Sequence, residues 1–156
     1  MKILKTWLLP GLIIIVAAAW LLAPTPVQAG TFYNVGWTGV VIKGYDPVAY
    51  FTEKMPVKGD SDFEYEWSGA KWRFANSKNL EMFKGDPEKY APKYGGHCAF
   101  GVANGYLVKI DPEAWTVYEG RLYLNYSLSV REQWKEDIPG YIGKANANWP
   151  GLKKEK

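Results

Sequence analysis

The sequence predicts an α+β fold, a small domain of two β-hairpins and several short helices. Three observations carry that prediction. Phe63, Tyr65 and Trp67 alternate with Glu64 and Glu66, and Trp72 and Phe74 alternate with Lys71 and Arg73, across a Ser68-Gly69-Ala70 turn; this is the period of paired, half-buried strands. A second hairpin signal lies at 115–118 and 122–124, around Glu119-Gly120-Arg121. Helix start and stop residues punctuate the segments that follow each hairpin. Composition agrees: with 47% hydrophobic, 16% aromatic and only 22% charged residues in 156, the chain suits one globular domain plus a short extra segment. Disorder and a coiled coil are disfavoured.

In chain order, Gly44-Tyr45-Asp46-Pro47 opens the ordered region, 48–51 reads as a short strand, and 52–62 as a polar loop. After the first hairpin, Asn76 is an N-cap for a helix through Lys84, with Leu80 and Phe83 at helical spacing and Gly85 as the stop. Asp86-Pro87 starts another short helix, since proline loses nothing at the first helical position. The small, apolar run 94–103 suits a tightly packed helix or turn. After the second hairpin, Ser129 with Glu132 matches a capping box for a helix through Trp134 and Ile138. The last segment, 144–156, reads as polar, with Trp149-Pro150 docking on the body. No internal repeat or low-complexity tract is visible.

Residues 1–29 form a separate segment. Lys2 and Lys5 precede an apolar run over 7–23, followed by Pro24, Pro26 and Val27-Gln28-Ala29. This three-part layout predicts a signal peptide cleaved after Ala29; an N-terminal membrane anchor, a single transmembrane run near the short limit of a bilayer span, is the alternative. Both place the domain of 30–156, with its core at about 40–150, beyond the membrane, in the periplasm or cell envelope. The formal charge of +3 belongs mostly to that leader, because 17 basic and 16 acidic residues follow from Gly30 onward. A near-neutral body offers no electrostatic footprint for nucleic acid.

The lone histidine and lone cysteine are adjacent, His97-Cys98. Both types bind copper or zinc, and a thiolate beside an imidazolium is activated. Further ligands would come from Met55, Met82, Asp46, Asp86 or Asp111. A packed thiol beside a packed ring is the competing reading, since adjacent side chains seldom aim at one ion. Enzymatic use is disfavoured, because nucleophile and base normally face each other from separate elements and no second histidine exists. One cysteine also precludes an intrachain disulfide framework. The three Asp-Pro pairs read as turns and caps, the aromatics at 63, 65, 67, 72 and 74 as core, and Tyr106, Tyr141 and Trp149 as surface candidates.

Several ordered motifs carry a resemblance. Tyr45-Asp46-Pro47-Val48-Ala49-Tyr50-Phe51, Trp67-Ser68-Gly69-Ala70-Lys71-Trp72-Arg73-Phe74, Asn79-Leu80-Glu81-Met82-Phe83 with Pro87-Glu88-Lys89-Tyr90, and Tyr94-Gly95-Gly96-His97-Cys98-Ala99 resemble an exported bacterial subgroup of YHS-domain proteins, over roughly 40–150. The resemblance implies a small strand-hairpin-helix fold and, in typical members, cysteines that look like soft-metal ligands, some in modules attached to metal-transporting ATPases. Those cysteines would fall on Ala49, Ala75 and Asn79, so a soft thiolate site is absent here. At position 97 the resemblance implies a tyrosine, an aromatic ring rather than a ligand.

The expectation is therefore an exported binding or accessory module. Its first reading is a role in envelope metal handling, with copper or zinc at His97 and Cys98. The alternative is a metal-free module with an aromatic pocket for a protein or small-molecule partner; thiol redox chemistry is a third reading.

Overall fold

The computed structural model describes residues 32–155. Two antiparallel hairpins form two separate two-stranded sheets, β1 (Asp60–Trp67) with β2 (Ala70–Phe74) and β3 (Asp111–Tyr118) with β4 (Arg121–Asn125). Short helices surround them: α1 (Ala49–Thr52), α2 (Ser77–Gly85), α3 (Pro87–Tyr90), α4 (Ala99–Ala103), α5 (Leu128–Lys135) and α6 (Ile138–Leu152). The α+β architecture is the one the alternation and cap patterns predict.

Contrary to the reading of the sequence, the chain repeats itself. The order of turn, short helix, hairpin, capped helix and second helix occurs twice. The offset is 52 positions from Val41–Gly44 to Lys93–Gly96, and 51 from Asp60–Trp67 to Asp111–Tyr118. The detail repeats too. Ile42, Lys43 and Gly44 take left-handed φ of 51°, 53° and 84°, and Tyr94, Gly95 and Gly96 take 56°, 60° and 71°. Each hairpin turns on two left-handed residues, Ser68-Gly69 and Glu119-Gly120, as a two-residue type I′ connection requires. Each first strand slips register, between Asp60 and Glu64 and between Asp111 and Trp115. The helix caps correspond as well: Asn76 and Ser127 accept from the amides of Asn79 and Val130, and Asp86 and Asp137 from those of Lys89 and Gly140. The repeat escapes sequence inspection because the two units keep backbone signals and change nearly every side chain.

Other local readings change for identifiable reasons. The stretch 48–51 forms the start of a helix rather than a strand, with Val48 as the N-cap of α1, because Asp46 Oδ1 accepts from the Val48 and Ala49 amides at 2.8 and 3.4 Å. The α5 cap is Ser127, not Ser129, since its hydroxyl sits opposite the Val130 amide. That helix stops before Ile138, where Asp137 caps α6 with Pro139 in the first turn. The tail is helical through Pro150 to Leu152, and its buried Ala145 and Leu152 face the body.

The larger core gathers both hairpins around Tyr50, Trp72, Phe74, Phe83, Leu122 and Leu124, all at most 1% exposed. A second cluster packs α6 against α4 through Val102, Ala103, Ala145 and Leu152, with Trp134 and Tyr123 alongside. The expectation of a transmembrane run is corrected for the described residues: no helix among them is long and apolar enough to cross a membrane. The run at 7–23, like the rest of the proposed leader, lies outside the described residues.

Candidate functional site

His97 and Cys98 are both buried, but their neighbours differ. The Cys98 thiol donates to Asn125 Oδ1 on β4 at 3.6 Å and accepts from the Gly101 amide at 3.4 Å. The His97 ring lies 6.4 Å from that of Trp149 on α6. Burial pushes the thiol pKa up, against the pull of the Gly101, Tyr126 and Phe100 amides, so Cys98 is held as a neutral thiol rather than a nucleophile.

The repeat explains this arrangement. Cys98 occupies in the second unit the place of Asp46 in the first. The Asp46 amide donates to Val57 O at 2.8 Å, and the Cys98 amide to Val108 O at 3.1 Å. Each side chain accepts from the amide three residues on, that of Ala49 or Gly101. By the same correspondence His97 matches Tyr45, which accounts for an aromatic ring at that position.

The positions where the resemblance places thiolates also resolve. Ala49, Ala75 and Asn79 surround the buried Asp46: the Ala49 amide donates to Oδ1, and the Ala75 amide and Asn79 Nδ2 donate to Oδ2 at 2.8 and 2.7 Å. Two alanines and an amide whose nitrogen already serves a carboxylate do not fit a soft metal ion. Their second-unit counterparts are Gly101, Tyr126 and Val130, so Cys98 is not a remnant of that ligand set. The other candidate ligands are scattered. Asp86 and Asp111 accept from nearby amides, Met82 packs on the core and Met55 is exposed. Among the described residues, no group of three or more His, Cys, Asp or Glu could hold a metal ion.

The prominent concave feature is a cleft of about 470 Å³ at the junction of the two units. Its wall is aromatic: Phe32 and Tyr33 from the segment before the first turn, Trp67 at the end of β1, Tyr94, and Trp149 on α6. Both hairpin ends reach it, through Trp67-Ser68 and Arg121. The rings support one another. Phe32 stacks on Tyr33 at 4.5 Å, Trp149 meets Phe32 and Tyr94 edge-on at 6.1 and 5.8 Å, and Tyr33 lies 5.8 Å from Trp67. The polar rim holds Glu88, Lys93, Arg121, Asn146 and Lys153.

The Gly95-Gly96 pair builds this cleft. A Cβ on Gly95 would lie 2.5 Å from the Phe32 carbonyl oxygen, and its φ of +60° already favours glycine. This close approach lets the Asn34 amide donate to Gly95 O at 2.7 Å and Asn34 Nδ2 to Gly96 O at 3.2 Å. Phe32 and Tyr33 are thereby fixed against Tyr94. The Tyr94 hydroxyl donates to Asn146 Oδ1 on α6 at 3.0 Å. Burial and the nearby Glu88 carboxylate raise the Tyr33 pKa, and burial raises that of Tyr94, so both phenols stay neutral.

Of the surface aromatics picked from sequence, Trp149 lines this cleft. Tyr106 is exposed beside a smaller apolar recess of about 220 Å³ over Cys98, and Tyr141 packs on Phe100 at 5.1 Å. Trp67, read as core, serves both core and cleft. The remaining cleft residues carry no local signal in the sequence, because they converge only through the repeat. The 51-residue recurrence of hairpin turns and of Asp86-Pro87 as Asp137-Ile138-Pro139 is the signal that could have revealed it.

A family model described as the YHS domain matches residues 48–94. The chain therefore contains a YHS domain, and the match runs from α1 of the first unit into the turn that opens the second. No curated protein and no solved structure matches the chain.

Proposed function

We propose that this chain is an exported binding module whose working site is the aromatic cleft between its two YHS-like units, and whose partner is a small organic molecule. The observation that carries the reading is the convergence of Phe32, Tyr33, Trp67, Tyr94 and Trp149 on one cavity of about 470 Å³. That volume lies in the range of small-molecule sites, and the lining sets these aromatic rings beside polar and charged groups that would orient a ligand. Export to the periplasm, in the manner of the bacterial subgroup the motifs resemble, rests on the basic start, apolar run and Val27-Gln28-Ala29 of the leader. A copper or zinc role for His97 and Cys98 is the weaker proposal, because the thiol serves Asn125 and Gly101 while the imidazole packs toward Trp149.

The test is a ligand-observed NMR screen of a small-fragment library against the full chain and against Asn146→Trp. The substitution puts a bulky side chain at the exposed rim; it also removes one acceptor of the Tyr94 hydroxyl, which keeps the Ile142 carbonyl at 3.5 Å, and thermal unfolding verifies that the variant is folded. Hits on the parent that are lost in the variant support the reading; hits indifferent to the block overturn it.

A further inference from the structure

The cleft is not electrically neutral. Lys93, Arg121 and Lys153 line it against one carboxylate, Glu88, whereas the body from Gly30 onward has 17 basic and 16 acidic residues. Positive charge is therefore in excess around this cleft. Among the described residues, none of the ion pairs includes any of these four groups. Arg121 spends one guanidinium N–H on the Glu88 backbone carbonyl at 2.9 Å, which fixes its orientation and leaves its charge uncompensated.

The cations also sit on the aromatic wall. Lys153 Nζ lies 4.2 Å from the Phe32 ring centroid and Lys93 Nζ 6.0 Å from that of Tyr94. A flat ligand against these rings would bring any charge it carries next to the ammonium groups. Lys93 is half-buried, and burial together with Arg121 pushes its ammonium below the usual lysine range. Two like charges held near each other at partial desolvation are unfavourable alone and favourable around an anion.

We infer that the ligand class of this cleft is a small organic anion, a carboxylate carried on a flat apolar group, with the ring against Phe32, Tyr94 and Trp149 and the carboxylate between Lys93, Arg121 and Lys153. This inference rests on the reading of the cleft as a small-molecule site. It commits to charge, which that reading leaves open.

The experiment compares three probes of one shape on the full chain by calorimetric titration: 1-naphthoate, the neutral 1-naphthamide and cationic 1-naphthylmethylammonium. Naphthoate is expected to bind about tenfold more tightly than the amide, the increment of one charge-assisted hydrogen bond, and the ammonium probe to bind weakest. Lys153→Gln, on an exposed side chain, and Arg121→Gln should each weaken naphthoate binding more than amide binding and so shrink the preference between them; thermal unfolding verifies that both are folded. Added salt should weaken only the naphthoate complex. Equal affinity for all three probes, each displaced by Asn146→Trp, would overturn the anion assignment and leave the binding site standing. No binding of any probe would overturn both.

Discussion

Cys98 stands in the second unit where Asp46 stands in the first, each tying its short helix to the hairpin region that follows. The Asp46 carboxylate takes the Ala75 amide and Asn79 Nδ2 at 2.8 and 2.7 Å, and the Cys98 thiol donates to Asn125 Oδ1 at 3.6 Å. One unit uses a charged acceptor and the other a weak, neutral sulfur. The lone cysteine is thus part of the frame, and the first unit carries the stronger tie.

Removing that tie should be costly. Asp46→Ala leaves the Val48, Ala49 and Ala75 amides and Asn79 Nδ2 without their acceptor in a buried site. A loss of about 3 kcal/mol or more is expected from urea unfolding. Asn79→Ala removes one of the four donors and should cost about 1–2 kcal/mol. An unchanged urea midpoint for Asp46→Ala would refute the role given to it.

Cys98 should be slow to react. Its burial and raised pKa predict that a thiol reagent at neutral pH labels the native chain only at the rate of opening, and labels the urea-unfolded chain at once. Cys98→Ser keeps a donor for Asn125 Oδ1 and should lower stability by only about 1–2 kcal/mol. Rapid native labelling, or a rise in melting temperature when Cu(I) or Zn²⁺ is added under reducing conditions, would restore the thiol or metal reading.

Gly95 should be intolerant of a methyl group. With φ at +60° and the Phe32 carbonyl oxygen 2.5 Å from the new Cβ, Gly95→Ala should cost about 2 kcal/mol or more and loosen the segment that carries Phe32 and Tyr33. Gly143 in α6 has nothing within 4 Å of its added Cβ and no left-handed φ. Gly143→Ala should therefore be stabilising by about 0.5–1 kcal/mol. Hydrogen exchange at Asn34, whose amide donates to Gly95 O, reads the local effect; unchanged protection in Gly95→Ala would contradict it.

Alkali should unfold the chain. Burial raises the pKa values of Tyr33, Tyr50, Tyr94 and Tyr123 above their ordinary 10.0. The folded state therefore keeps protons that the unfolded chain releases. The sign follows: this contribution to stability is complete below pH 10 and is lost as pH rises above it. Urea midpoints should fall across that range, with tyrosinate absorbance appearing together with unfolding. Tyrosinate absorbance growing at its ordinary pH in a folded chain would count against the burial of these phenols.

Much of the fold is legible in the sequence because its signals are local. The period-2 rings at 63–67 and 72–74, the Asn76 cap and the Asp86-Pro87 start act within a few residues and come out as read. Where a distant partner decides, local reading fails. Asp46 turns 48–51 into a helix because Ala75 and Asn79 hold its other oxygen, an interaction about thirty residues away. The cleft depends on the same long-range order, since Lys93, Arg121 and Lys153 are unremarkable singly. Of its residues, Trp149 alone stood out as a surface aromatic, because it falls outside the alternating strand pattern.

The most direct test of the account is a map of indole N–H shifts in the ¹⁵N-labelled full chain titrated with 1-naphthoate. The Trp67 and Trp149 signals are expected to move together and saturably, while Trp37, exposed at a separate recess, and the buried Trp134 stay fixed. Saturable shifts centred on Trp37, with Trp67 and Trp149 unmoved, would contradict it.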